Sequence, residues 1–397
     1  MAGELIHIAS ARERVLARVR PLGSERVGIG EALDRVLAEG VSAEEDLPPF
    51  DSSAMDGYAV IAGPAADLEV VDESRAGHPA QRALAGGEAI AISTGALIPD
   101  GADAVVPVER VQASDGRVSV PETSVGANVR HAGDDVRRGQ PVLRAGTLLG
   151  PAELAVAAAL GHSSLPVGRR PRAVVLATGD ELVPPGEPLG PGQIRNSNTV
   201  GLAAQAERAG AEVVGNHIVR DNLEDTKAAL SAALERADVV CVSGGVSVGP
   251  HDHVKPALAE LGVEEVFWRV ALKPGKPTWF GARDGKLVFG LPGNPVSAMV
   301  TFHLFARPAL RALAGARPDD TSATAVLDEP LPRNSGRDEV VRCRLRATDD
   351  GWHVSPTRDD QSSHVLTSML AAEAFAIVHA GEGIVEAGER VPIELLR

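Results

Sequence analysis

Four carboxylates stand in short loops, each following a strand-like run. Asp180 and Glu181 lie in TGDEL, Asp221 in RDN, and Asp252 at the end of SGGVSVGPHD. Lys273 and Lys276 sit between prolines in KPGKP, and residues 291–298 read LPGNPVSA. Taken singly, each loop has an ordinary reading. Thr178, Gly179, Asp180 and Glu181 suit a strand end followed by a helix cap. Ser243, Gly244, Gly245 and Ser247 suit a flexible turn, and KPGKP suits a solvated basic turn. Glycines also let backbone N–H groups approach an anion closely. Pro292, Gly293, Asn294 and Pro295 set N–H groups at a helix start, a ready anion site. Neither G-x-G-x-x-G nor the Walker spacing is present, so neither of those phosphate-binding mechanisms follows.

Four carboxylates at one edge would repel by about 1 kcal/mol per pair at 4 Å even in water. Such a cluster needs a divalent cation or a cationic neighbour, and oxygen ligands of this kind suit Mg²⁺ carrying substrate phosphate. With the two lysines supplying charge for an oxyanion, these loops describe a site for a phosphate-bearing ligand. A second polar set lies in PPFDSSAMDGYAV (48–60), ISTGALIPDGADAVVPVE (92–109) and AGDDVRRG (132–139). Asp56, Thr94 and Asp135 in it also fit ordinary turn positions.

The elements that must position these residues follow from texture. Residues 8–40 read as two helices, the first capped by Ser10 and the second carrying Ala32, Leu33, Val36 and Leu37, closed by Gly40. From 48 to about 146, short β-branched runs alternate with Gly, Pro and Asp, a β-rich module. A helix follows over 154–160. Over 171–315, strands and helices alternate: strand 173–177, helix 198–209, strand 212–219, a helix capped by Asn222 with Asp225 at the capping-box position, and strand 238–242. That alternation predicts a mostly parallel sheet, whose ligands sit at the carboxyl ends of the strands. Beyond a linker at 312–320 the period becomes two, with Val341, Cys343 and Leu345 alternating with arginines, which predicts a small all-β domain.

The chain has 397 residues, 44% apolar and 23% charged, so it is neither disordered nor collagenous. With 39 basic and 54 acidic residues its net charge is −15, which disfavours nucleic acid and anionic membrane as partners but not a local basic pocket. Cys241 and Cys343 are too few and too far apart for a zinc site or a disulfide framework. No run of about 18 apolar residues is present, so no membrane span is expected. With no secretory leader at the N-terminus, the chain reads as cytoplasmic.

In order along the chain, SAMDGYAV, STGALIPDGADAVVPVE, AGDDV, TGDEL, RNSN, VSGGVSVGPHD, KPGKP and LPGNPVSA resemble the motifs of one family. The chain resembles the molybdopterin molybdenumtransferases, the MoeA and gephyrin E-domain family, over nearly its whole length. The resemblance implies a multidomain α/β plus β fold. Its parts would be an N-terminal helical and dimerisation domain (1–47 and 144–170), an inserted β-rich module (48–143), a three-layer α/β molybdopterin-binding domain (171–317) and a small C-terminal β-barrel (318–397). It implies an elongated homodimer that takes adenylylated molybdopterin and molybdate and gives molybdenum cofactor and AMP, assisted by Mg²⁺. Glu181, Asp221 and Asp252 would serve the metal, and Lys273 and Lys276 the oxyanion. Pro292 and Pro295 would shape the anion loop. Asp56, Thr94 and Asp135 would reach the partner subunit's cleft, and Ser297, Arg337 and Ser363 would help hold molybdate. Departures from the family pattern are Arg269 in place of Lys, Pro250-His251-Asp252 in place of Glu-Tyr-Asp, and an Asp in the triplet Gly133-Asp134-Asp135 where Glu is frequent. The upstream molybdopterin adenylyltransferase is an expected partner. As a rival reading it is disfavoured by the extra β module and C-terminal domain. A receptor-clustering scaffold like gephyrin and a paralogue that binds molybdopterin without inserting the metal remain the alternatives.

Overall fold

Helix α1 spans Ile8–Leu16 and buries Ile8, Ala11 and Val15. His7 holds its N-cap position without a side-chain capping bond, and Ser10, the expected cap, lies inside the helix. The expected second helix over 32–37 does not form. A 3₁₀ turn at Ile29–Glu31 ends there, Asp34 takes a left-handed φ of 60°, and Leu37 makes an isolated bridge to Val167. Ala32, Val36 and Leu37 are buried while Leu33 is 46% exposed, so the apolar spacing serves an irregular chain rather than a helical face. The computed structural model describes residues 5–247, 249, 252–318 and 321–396. The chain divides into two compact units, one of Met1–Arg26, Asp34–Ala38 and Pro166–Arg397, the other of Val27–Leu33 and Glu39–Leu165.

The second unit holds a six-stranded sheet. Its strands are β1 (Gly57–Val60), β2 (Ala66–Ser74), β3 (Glu88–Ile92), β4 (Ala104–Pro107), β5 (Gln112–Ser114) and β6 (Arg117–Val120), in the order β4-β1-β3-β2-β6-β5. Alternate residues divide between two small cores, Val60, Val106 and Ala104 in one and Ala59, Ile90 and Val105 in the other. Helix α2 (Pro151–Ala159) starts on a proline, with the Glu153 carboxylate accepting the Gly150 N–H at 3.0 Å.

In the first unit, strands β7 (Arg172–Thr178), β8 (Glu212–Val219), β9 (Val239–Ser243), β10 (Glu264–Trp268), β12 (Trp279–Arg283) and β13 (Lys286–Leu291) form a sheet in the order β8-β7-β9-β13-β12-β10. The first four are parallel, and β12 and β10 add antiparallel. The alternation in β7 makes the three layers. Ala173 and Val175 pack with α3 (Asn198–Arg208) and α6 (Pro295–Thr301), while Val174 and Leu176 pack with α4 (Leu223–Arg236) and α5 (Val254–Glu260). Asn222 caps α4 as expected, its side chain accepting the Asp225 N–H at 2.8 Å. Cys241 and Cys343 are buried free thiols, each pushed up to about 12 chiefly by burial, so neither is a nucleophile at neutral pH.

Five strands close the C-terminal barrel: β14 (Ser322–Leu327), β15 (Asp338–Thr348), β16 (Gly351–Pro356), β17 (Ala374–Val378) and β18 (Arg390–Leu395), in the circular order β15-β16-β14-β18-β17. The short strand β11 (Leu272–Lys273) adds parallel to β15 and brings Lys273 opposite Glu339. At one end of the barrel His353 lies 2.8 Å from an Asp328 carboxylate oxygen and 3.1 Å from one of Asp350. These contacts hold the imidazole above its ordinary 6.5. The His353 contact holds Asp328 down, and bonds from Thr348 and His353 bring Asp350 to about 2. The imidazolium contributes stability below its unfolded value, and this is lost as pH rises through the raised folded one. The carboxylates contribute above their ordinary value, and this is lost as pH falls. The contribution of this cluster to stability is therefore expected to be greatest between about pH 4 and pH 6.5. In His353→Gln the alkaline limb should flatten in melts across that range. A variant limb as steep as the wild type's rules His353 out.

Candidate functional site

The carboxyl ends of β7, β9 and β13 open on a cleft of about 960 Å³ within the first unit. Thr178 and Ser243 line it from the strand ends, with Glu181 on the loop after β7. Pro292, Gly293, Asn294 and Pro295 line it where β13 passes into α6, and Pro295 takes the first turn of that helix. Ser297, only 4% exposed, lines the same wall. From the KPGKP loop come Lys273 and Lys276, and from the barrel side Arg337 and Ser363. The cleft thus combines hydroxyls, a helix start and four cations, Arg195 being the fourth, the lining of an anion site.

The glycine loop after β9 is shaped by space. Gly245 has φ +67°, and a Cβ there would stand 2.7 Å from Val254 Cγ2. One on Gly244, at φ +94°, would stand 2.8 Å from the Thr178 carbonyl oxygen. Gly244, Gly245 and Ser247 are not in the lining of the cleft, and Ser247 is exposed. Pro250 and His251 lie outside the described residues.

The acidic residues are crowded but not gathered into one set. The Asp180 carboxylate accepts the Asp221 N–H at 3.1 Å. Burial pushes the Asp221 carboxyl up, and the charges of Glu181 and Asp180 push it further. A Cβ on Gly179 would stand 2.5 Å from Glu181 Oε2, so the glycine leaves room for that carboxylate. Asp252 instead turns back on its own loop and accepts the Gly249 N–H at 2.6 Å. Among the described residues no three acidic, histidine or cysteine side chains already form a metal-binding group. The donors are nonetheless all oxygen, and the cost of ionising Asp221 beside Glu181 and Asp180 is one that a hard divalent cation would offset.

In the second unit Asp56 and Thr94 meet. One Asp56 carboxylate oxygen accepts the Thr94 N–H at 2.7 Å and its hydroxyl at 3.1 Å. Asp135 is exposed on a turn whose N–H bonds the Leu47 carbonyl, and no described bond joins it to that pair.

Three contributors were not singled out from sequence. Glu339 pairs with Lys273 at 3.0 Å. Gln361 lines the cleft and its amide oxygen accepts the Arg342 N–H at 2.9 Å, fixing the segment that carries Ser363. Asn198, in RNSN, donates to Ser243 Oγ at 2.8 Å and to the Gly293 carbonyl at 2.7 Å, tying three loops together. The motif was visible, but these partners lie 45 and 95 residues away in sequence.

Residues 6–161 match a family model described as the MoeA N-terminal region (domain I and II). Residues 174–312 match the probable molybdopterin binding domain, and 324–396 the MoeA C-terminal region (domain IV). The molybdopterin molybdenumtransferase of Haemophilus influenzae is 36% identical over 400 residues, covering 98% of each chain. That of Bacillus subtilis is 35% identical over 388 residues, 94% of this chain and 90% of its own. A crystal structure of the molybdopterin biosynthesis MoeA protein from Pyrococcus horikoshii is similar over 99% of this chain and 100% of its own, with 30% identity and a TM-score of 0.84. No helix among the described residues is long and apolar enough to cross a membrane.

Proposed function

The chain belongs to the molybdopterin molybdenumtransferase family, transferases of molybdenum cofactor biosynthesis, and from that premise we propose how its own residues carry the reaction. The chain inserts molybdenum from molybdate into adenylylated molybdopterin, giving molybdenum cofactor and AMP. The observation that carries this reading is the cleft itself, where Lys273, Lys276 and Arg337 face the helix start at Pro295 and the hydroxyls of Thr178, Ser243, Ser297 and Ser363. An anionic nucleotide ester and an oxyanion need such a lining at once.

Holding both reactants turns a bimolecular encounter into a local one. Lys273, Lys276, Arg337 and Ser363 bind the oxyanion. Thr178, Ser243 and the loop 292–295 orient the phosphate-bearing substrate, with Gly244 and Gly245 keeping the neighbouring backbone close. Glu181 and Asp221, joined by Asp252 from the glycine loop, would hold Mg²⁺, which when bound supplies positive charge beside the phosphoanhydride. Asp180 holds the Asp221 backbone in place. The donated N–H groups and cations stabilise charge on the leaving phosphate. No cysteine is required, because the sulfur arrives with the pterin.

The working unit is taken to be a homodimer in the cytoplasm, in which the β-rich module (48–143) presents Asp56, Thr94 and Asp135 to the partner subunit's cleft. The dimerisation segments 1–47 and 144–170, the α/β domain 171–317 and the barrel 318–397 complete the proposed four-domain division. Adenylylated molybdopterin would come from the adenylyltransferase that makes it.

The direct test offers the purified protein adenylylated molybdopterin, molybdate and Mg²⁺ and measures AMP. No AMP above a protein-free control would reject the reading. Lys273→Gln is expected to raise the molybdate concentration required by roughly tenfold and to slow turnover, as loss of a cation facing an oxyanion should. Unchanged molybdate dependence and rate would remove Lys273 from the site.

A further inference from the structure

Lys273 belongs to two cavities. With Gln361 and Ser362 it lines both the cleft and a neighbouring cavity of about 400 Å³, and Glu339 stands in the second. The pairing of β11 with β15 sets Lys273 opposite Glu339, and Lys273 Nζ lies 3.0 Å from Glu339 Oε1. The lysine side chain keeps 44% of its exposure while the glutamate keeps 13%. Glu339 is thus a largely buried carboxylate set behind a half-exposed cation that lines the anion cleft.

We propose that Glu339 is a positioning and affinity-setting residue for the incoming oxyanion, a resident counter-charge that holds Lys273 from behind and weakens its grip on whatever anion enters from the cleft. This rests on the oxyanion role given to Lys273 above. The Lys273 ammonium stands in ion-pair contact with Glu339 and also lines the cleft, so one charge serves both sides. An oxyanion on the cleft side meets the attraction of Lys273 reduced by the repulsion of Glu339 some few ångströms beyond it. The consequence is an oxyanion that is oriented but not trapped, as turnover requires of a substrate that must be given up.

The sign of the expected effect is opposite to that of an ordinary binding residue. Glu339→Gln keeps the shape and removes the charge, so molybdate should bind the full-length protein more tightly, by about 3- to 30-fold in Kd from the Coulomb term at effective dielectric constants between water and protein surface. In steady state KM for molybdate should fall while kcat falls too, because a tighter ground state raises the barrier from the bound complex. Glu339→Asp restores the charge and should return Kd to near the wild-type value. In a Lys273→Gln background Glu339 is left uncompensated while Lys276, Arg337 and Ser363 still line the anion wall, so Glu339→Gln should tighten molybdate by at least as much as in the wild-type background.

The measurements are calorimetric titration of wild type, the two Glu339 variants, Lys273→Gln and the double variant with molybdate, and with tungstate as a second tetrahedral oxyanion. Thermal melting of each accompanies them. Tighter binding in Glu339→Gln, reversed by Glu339→Asp and retained without Lys273, supports the proposal. Equal or weaker binding in a Glu339→Gln protein that melts like wild type overturns it while leaving the proposed function intact. A Glu339→Gln protein that melts much lower also overturns it, because the pair would then be structural. If wild type binds neither oxyanion, the assigned anion wall fails and this inference fails with it. If wild type binds oxyanion but forms no AMP, the proposed reaction fails, and the charge-setting role is judged on the titrations alone.

Discussion

An Asp221→Asn enzyme is expected to lose AMP formation by on the order of 10²–10³-fold, the size of effect that follows from removing one preorganised charge at a reacting phosphate. It should melt at the same temperature or higher. The two signs have one cause. Burial and the charges of Glu181 and Asp180 raise the Asp221 carboxyl, so its ionised form is a penalty on the folded state at neutral pH. For an acid with a raised folded value, that penalty is present above the folded pKa and disappears on acidification. Asparagine removes it permanently. The bond accepted by Asp180 comes from the Asp221 backbone, so it survives the substitution. Carboxylates that crowd at a cost to stability suit a task performed in the presence of a cation. Activity close to wild type, or a melting temperature several degrees lower, would remove Asp221 from the catalytic set.

Two inactive proteins are expected to restore one another. If each working cleft draws Asp221 from one subunit and Asp56 from its partner, the Asp56→Ala homodimer lacks the module residue in both clefts. The Asp221→Asn homodimer lacks the α/β residue in both. In the mixed dimer one cleft carries both lesions and the other neither. With random pairing half the dimers are mixed and half of their clefts are intact, so co-refolding should return roughly a quarter of wild-type activity. Asp56→Ala removes the acceptor that fixes Thr94 at 2.7 Å, a loss confined to the module of the subunit that carries it. The intact cleft of the mixed dimer is therefore spared. Activity that stays at the parental level in a preparation shown to contain heterodimers would make Asp56 a turn residue and nothing more.

The sequence by itself carried the organisation of the α/β domain, because there each residue's role is set by close neighbours. Val239 to Cys241 are apolar without interruption because β9 lies between two helical layers, and alternation in β7 divides its side chains between them. Asn222 and Asp225, three residues apart, are enough to start α4. The strand-end loops were legible for the same reason, since a parallel sheet puts all its carboxyl ends on one edge. The apolar spacing at 32–37 misled because it records burial but not backbone conformation, and Asp34 adopts a left-handed φ that a helix cannot contain. Tertiary structure alone decided which charges meet. Lys273 faces Glu339 through a two-residue strand pairing with the barrel, Ser363 meets Asn294 through a 2.8 Å bond, and Asp252 accepts the Gly249 N–H of its own loop. Such contacts join segments far apart in the chain, and their register is set by how whole elements pack rather than by any local pattern of residues.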